Sequence, residues 1–182
     1  MKPAHSNAAI YPSGVDEKTF MTLFDGVYEH SAWIAQQAWV QGLDSAFNNI
    51  DGLTTTLAGI VDGATRQQQL ELILAHPDLA GKAAQAGELT SESRGEQSSA
   101  GIHLCNAEEF ARFQTFNRAY RTKFNFPFIM AVKGANRFQI LEAFEQRLPN
   151  NYEQEFAQAL LQIHKIARFR LEDIAQRTGQ NS

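Results

Sequence analysis

His76-Pro-Asp-Leu-Ala-Gly81 and, after a short spacer, Ser93-Arg-Gly-Glu96-Gln97-Ser-Ser-Ala-Gly101 gather a histidine, a carboxylate, a hydroxyl and an amide into a stretch too short to be a domain of its own. These are groups that move protons: an imidazole exchanges one near neutral pH, and a neighbouring carboxylate orients it or shares the transfer. Each also has a bland reading. His76 before Pro77 suits a helix C-terminus, where a cation is favoured. Ser93-x-x-Glu96 has the form of a capping box, and Gln97 suits a solvated face. None of these spacings is diagnostic in the way a metal-ligand signature is, so a proton-transfer site and a pair of capped helix ends both stand at this point.

Arg170 is a second feature with chemical content. Phe156, Leu160, Ile163, Ala167, Arg170 and Ile174 step by 4, 3, 4, 3 and 4 and define one apolar helix face with an arginine inside it. A guanidinium there is costly unless paired, so it snorkels to an edge, pairs with an internal acid, or waits for an anionic ligand. The stripe taken alone predicts that methionine at 170 costs no stability. Arg168 lies about 200° around the same helix and serves as the comparison residue.

Other chemistries lack a signal. The five histidines form no H-E-x-x-H, and His103-Leu-Cys105 is an isolated pair read as packing, so no metal site is expected. No G-x-G-x-x-G, G-x-x-x-x-G-K or G-x-S-x-G occurs, which leaves nucleotide binding and an esterase elbow without support. Cys105 is the single cysteine; it excludes an internal disulfide, suits a reducing compartment, and without a supporting motif reads as an inert thiol rather than a nucleophile. A formal net charge of −4 with no basic run argues against nucleic acid or an anionic membrane as partner. No apolar run approaches the roughly 20 residues that span a bilayer. The start shows no signal-peptide core and the ending Gly179-Gln-Asn-Ser182 is no peroxisomal address, so the cytoplasm is the expected compartment.

The elements that must position these residues read as all-α: a single multihelical, bundle-like domain over 16–178, preceded by a flexible arm at 1–15. With 182 residues and 43% hydrophobic content the chain can bury one sizeable core. A helix is expected from Asp16 with Phe20, Leu23, Phe24 and Val27 at helical spacing, and another after Ser31. Gly42, Gly52, Gly59 and Gly63 are expected to break the next stretch into short pieces. Thr65-Arg-Gln-Gln68 opens a helix that must stop near His76, because Pro77 disfavours α geometry in the residue before it. Asn106-Ala-Glu-Glu109 caps a helix with a Phe110, Phe113, Phe116, Tyr120, Phe124 stripe. Phe126–Val132 is a buried extended connector too isolated to make a sheet. Residues 135–148 carry Phe138, Leu141, Phe144 and Leu148, and Asn150-Asn-Tyr-Glu153 opens a last long helix to about Arg177.

Together the motifs carry a resemblance. His76–Gly81, Leu89-Thr-Ser-Glu-Ser93, Glu96-Gln97 with Ala100-Gly101, Tyr120-Arg-Thr-Lys-Phe-Asn-Phe-Pro-Phe-Ile129 and Ile166-Ala-Arg-Phe-Arg170-Leu171 resemble the ordered motifs of the OHCU decarboxylases, the 2-oxo-4-hydroxy-4-carboxy-5-ureidoimidazoline decarboxylases of urate breakdown. The likeness runs from about Phe20 to Ile174 and includes Tyr28-Glu-His-Ser-Ala-Trp33. Two positions depart: Asn125, where glycine is common, and Ile102 for leucine. Asn tolerates left-handed backbone, so the first departure is mild.

The resemblance implies a cofactor-free, multihelical, homodimeric carbon–carbon lyase that yields (S)-allantoin and carbon dioxide. Carried over by motif, His76 and Glu96 are the acid–base pair. Ser93 and Gln97 hydrogen-bond the ring and ureido groups, Pro77 shapes the pocket wall, the backbone of Phe128 and Ile129 meets substrate, and Arg170 binds an anionic or carbonyl edge. Two rivals remain: a non-catalytic helical module that binds a small anion or a partner helix, and a lyase for another ureido or carboxylate compound.

Overall fold

The computed structural model describes residues 12–81, 84 and 86–179, and within them the chain is helical, with no strand. The helices are α1 (Glu17–Phe24), α2 (Trp33–Gln41), α3 (Ile50–Asp62), α4 (Arg66–Leu74), α5 (Ser91–Ser99), α6 (Ala107–Phe124), α7 (Arg137–Arg147) and α8 (Tyr152–Gly179), with 3-10 turns at Pro12–Gly14, Ser45–Phe47 and Ile102–Leu104. The chain divides into two compact units, Met1–Gln69 with Ala167–Ser182, and Leu70–Ile166. Of the expected arm, residues 1–11 lie outside the described residues. Pro12–Gly14 form a turn in which Ser13 donates from its backbone N–H and its hydroxyl to Asn48 Oδ1.

Most helix starts are set by the side chains that the sequence offers as caps. Asp16 accepts from Thr19 N at 2.8 Å, Thr65 and Gln68 bond reciprocally, and Asn106 with Glu109 forms a full capping box. The last helix starts one residue later than the pattern suggests, because Asn151 pairs reciprocally with Gln154. Asn150 is thereby released, and its amide reaches Glu155 Oε1 at 2.8 Å. The glycines at 52 and 59 do not interrupt α3. Asn49 caps it, and the buried Leu53, Leu57, Ile60 and Val61 share one face. Each glycine costs about 1 kcal/mol in a helix, against roughly 1.5–3 kcal/mol for each buried aliphatic side chain, so burial wins.

In the second unit the core is aromatic. Phe113, Tyr120 and Phe124 of α6, Phe126 and Phe128 of the connector, Phe144 of α7 and Phe156 of α8 are all essentially inaccessible. Phe128 stacks on Phe144 at 3.8 Å between centroids, and Tyr120 meets Phe128 edge-on at 5.2 Å. Phe126–Val132 is extended without sheet partners, as its sequence suggests. Phe138, assigned to the core by its spacing, is instead 54% exposed with the Arg137 guanidinium over its ring. Asn125 takes the left-handed conformation (φ 60°) that ends α6, and its N–H returns to Arg121 O at 2.8 Å.

Candidate active site

His76 closes α4. Its backbone N–H bonds Ile73 O at 3.2 Å, and Nδ1 lies 2.9 Å from Leu72 O. A carbonyl oxygen can only accept, so Nδ1 carries the hydrogen and Nε2 is the basic nitrogen of the neutral ring. The ring is buried. After Pro77 the chain makes a tight turn in which Ala80 has φ 54°, and a Cβ on Gly81 would lie 2.7 Å from Asp78 Cβ, so glycine is required there.

Ser93, Glu96 and Gln97 occupy one face of α5 at i, i+3 and i+4 spacing; Ser93 and Gln97 are buried and Glu96 is half-buried. The capping-box reading of Ser93 and Glu96 fails, because Thr90 is the cap: its Oγ1 accepts from Ser93 N at 3.2 Å. Ser93 is therefore inside the helix, in its first turn, rather than at its cap. Gln97, expected on a solvated face if it had no role, bridges to the turn after His76. Its Oε1 accepts from Ala80 N at 3.0 Å and its Nε2 donates to Asp78 O at 3.4 Å. One side chain thus ties the helix of Glu96 to the segment of His76.

The connector is held just as firmly. Arg147 donates through Nη1 to Ile129 O at 2.6 Å and through Nη2 to Glu155 Oε2 at 2.8 Å, and its guanidinium lies 4.2 Å from the Phe128 ring centroid. Tyr120 donates its hydroxyl to Glu155 as well. Burial, and then the carboxylate partner, push the Tyr120 phenol far above its ordinary range, so it remains a donor. Gln162 Oε1 accepts from Ala131 N at 2.9 Å. Phe128 and Ile129 are therefore fixed with their backbone orientation set by α7 and α8.

Arg170 belongs to the first unit. It is buried, donates to Gly26 O at 3.1 Å, and pairs with the equally buried Glu29 at 2.8 Å. Of the three fates open to an arginine in an apolar stripe, the internal acid is the one observed. Arg168 faces elsewhere, pairing with Asp51 at 2.7 Å and Glu172 at 3.2 Å. His103 is exposed and Cys105 half-buried, so their closeness in sequence is not core packing. Burial, and next the charge of Glu109, raise the Cys105 thiol above its ordinary range, which keeps it protonated and unreactive at neutral pH. Among the described residues no three His, Cys, Asp or Glu side chains converge as a metal site.

The family model of OHCU decarboxylase matches residues 13–172. The chain belongs to the OHCU decarboxylase family. It is accordingly a carboxy-lyase. It is 41% identical over 159 residues to the 2-oxo-4-hydroxy-4-carboxy-5-ureidoimidazoline decarboxylase of Halalkalicoccus jeotgali, covering 87% of this chain and 86% of that one. It is 37% identical over 166 residues to the uric acid degradation bifunctional protein of Bacillus subtilis, covering 91% of this chain and 32% of that one. A crystal structure of (S)-allantoin synthase superposes with a TM-score of 0.70 at 30% identity, over 90% of this chain and 52% of that chain. An OHCU decarboxylase crystallised in the presence of (S)-allantoin gives 0.67 at 22% identity, over 84% and 96%, and shares the fold.

Several residues that hold the turn after His76 have no motif to announce them. Gln114, Asn117 and Arg121 form a polar row on α6 beside the aromatic stripe. They reach Ala80 O (2.7 Å), Leu79 O (2.8 Å) and the Asp78 carboxylate (2.9 Å). Their i, i+3, i+7 spacing was visible, yet the phenylalanines dominate the reading of that helix. Arg147 carried a signal of the same kind as Arg170, since Ile140, Phe144 and Arg147 step by 4 and 3.

Proposed function

We propose that this chain decarboxylates 2-oxo-4-hydroxy-4-carboxy-5-ureidoimidazoline to (S)-allantoin in urate degradation, with His76 and Glu96 as its acid–base pair. The carrying observation is a buried His76, its Nδ1 committed to Leu72 O, followed by a turn that Gln97 ties to the helix bearing Ser93 and Glu96. The substrate supplies its own electron sink. As the C–COO⁻ bond breaks, its electron pair forms a ring C=C bond and the adjoining C=N pair moves to nitrogen, which takes a proton. The hydroxyl on the decarboxylated carbon then gives up its proton to become the ketone, while the neighbouring carbon is protonated on one face, which fixes the S product. His76 Nε2 is the group suited to accept the hydroxyl proton, and Glu96 shares the imidazolium charge and the return of the proton to carbon.

Ser93 meets the ring, and Gln97, which uses one N–H on the turn, offers its second to the ureido carbonyl. Pro77 and the backbone of Phe128 and Ile129 line the pocket. Arg170 engages an anionic or carbonyl edge; its pairing with Glu29 balances its charge, so it recognises the edge by directed hydrogen bonds. The reaction calls for no cofactor or metal. The domain works as a cytoplasmic homodimer, a state that suits exposed Val40, Leu104 and Phe138 and is checked by sedimentation at micromolar concentration.

His76→Gln tests the reading. Substrate is generated in situ from urate, and optical rotation is followed against the racemising spontaneous reaction. Turnover should fall by at least about 10²-fold with the melting curve preserved. Near-native turnover would return His76 to a capping role, and wild-type protein without S excess would remove the enzymatic reading.

A further inference from the structure

We propose that Gln114 and Asn117 of α6 are positioning residues for the decarboxylation: with Gln97 they clamp the 78–80 backbone and so fix the orientation of His76 relative to α5. This rests on the roles given to His76 and Glu96 above. The turn after Pro77 belongs to no helix; its own backbone gives Asp78 O the Gly81 N–H at 3.3 Å, while the carbonyls of the buried Leu79 and Ala80 take side-chain donors. Each of three successive carbonyls receives a side-chain carboxamide: Gln97 on Asp78 O at 3.4 Å, Asn117 on Leu79 O at 2.8 Å and Gln114 on Ala80 O at 2.7 Å. Arg121 completes the row through both carboxylate oxygens of Asp78, at 2.9 and 3.0 Å.

Two observations give this arrangement more than a packing role. Ala80 is held at φ 54°, a conformation that an L-residue keeps only when its surroundings impose it. Asn117 is buried with its Oδ1 lacking a hydrogen-bond partner. A leucine of similar size would avoid that orphaned acceptor, so what the asparagine contributes is its donor to Leu79 O. Because Gln97 sits one residue after Glu96 and grips the same turn, the clamp sets the spacing between the helix carrying Glu96 and the segment carrying His76. Reacting groups misplaced by about 1 Å lose roughly 10²-fold in rate, so loosening the turn should reach the chemistry.

The test compares Asn117→Leu and Gln114→Met with wild type, with Arg112→Ala, an exposed position of the same helix, as control. We expect kcat to fall about 10- to 100-fold with KM within about 3-fold for both variants, and no change for the control. Nitrogen-15 NMR of the imidazoles gives a readout independent of turnover, the His76 signals being assigned by their loss in His76→Gln. Wild type should show the Nδ1–H tautomer, and the variants a mixture. Lower melting temperatures with unchanged kcat and an unchanged His76 tautomer would reduce the clamp to a structural role and overturn the proposal. If Asn117→Leu does not fold, Gln114→Met, at a half-buried position, decides the question. Should wild type itself produce no S excess, the functional reading falls while the tautomer measurement still decides the clamp.

Discussion

Among the described residues, two buried arginine–glutamate pairs stand out, one in each compact unit, and they are built differently. Arg147 and Glu155 are eight residues apart, and Glu155 also takes hydrogen bonds from Tyr120 and Asn150. The arginine's remaining nitrogen, Nη1, is spent on Ile129 O. That is a local, many-partnered brace for the connector. Arg170 instead meets Glu29 and Gly26, the latter 144 residues away in sequence. The difference is one of range: Arg147 and Glu155 brace the backbone of the neighbouring connector, whereas Arg170 and Glu29 tie the last helix to a segment near the start of the chain.

The sharpest way to break this contrast is Arg147→Met. Removing one partner of a buried pair costs about 3–5 kcal/mol, and the orphaned Ile129 carbonyl adds roughly 1–3 kcal/mol. Urea unfolding measures the sum; a loss under about 1 kcal/mol would mean that Tyr120 and Asn150 satisfy Glu155 unaided.

Arg170→Met comes next. The apolar stripe alone predicts no loss of stability, and the structure reverses that expectation, because methionine would leave Glu29 charged and buried: about 3–5 kcal/mol should be lost. Adding Glu29→Leu to Arg170→Met should restore most of the stability without restoring substrate affinity, since an apolar pair of similar volume replaces an ion pair at little cost. Recovery of activity along with stability would deny Arg170 any contact with substrate.

Arg168→Met should be nearly silent, about 0–1 kcal/mol and full turnover, because its partner Asp51 is 81% exposed and such pairs are weak. Damage to catalysis equal to that of the Arg170 variants would place the wrong arginine in the site.

The smallest effect is one of pH. The backbone N–H of Asn106, and then the Arg137 hydrogen bond, hold the Glu109 carboxyl below its ordinary range. A depressed folded pKa contributes stability above the unfolded value, about 4.3, and loses it as pH falls through the folded one. Wild type and Glu109→Gln should therefore differ in melting temperature at pH 7 and converge as pH falls from about 4.3 through the lowered folded value. A constant difference across that range would show that the capping box does not depend on charge.

How much of this was legible without coordinates depends on how local each interaction is. The capping boxes at 65–68 and 106–109, the stop at His76 and the left-handed Asn125 follow from neighbours in sequence and were readable. Ser93 with Glu96 misled because the box pattern recurs by chance, and Thr90 was nearer the start of the helix. Phe138 misled because spacing assigns a face without saying whether anything covers it.

The sequence by itself determined the helical class, most helix starts, the extended connector and the residue types able to move a proton, because these depend on contacts within a few residues and on intrinsic chemistry. Only the tertiary structure decided which acid meets Arg170, which amides hold the turn after His76, and what braces Ile129. Those partners lie 17 to 141 residues away. Nothing in a local pattern encodes which of many carboxylates or carboxamides will be brought within hydrogen-bonding distance; that choice is made when burial removes water and leaves each polar group to find the partner the packing provides.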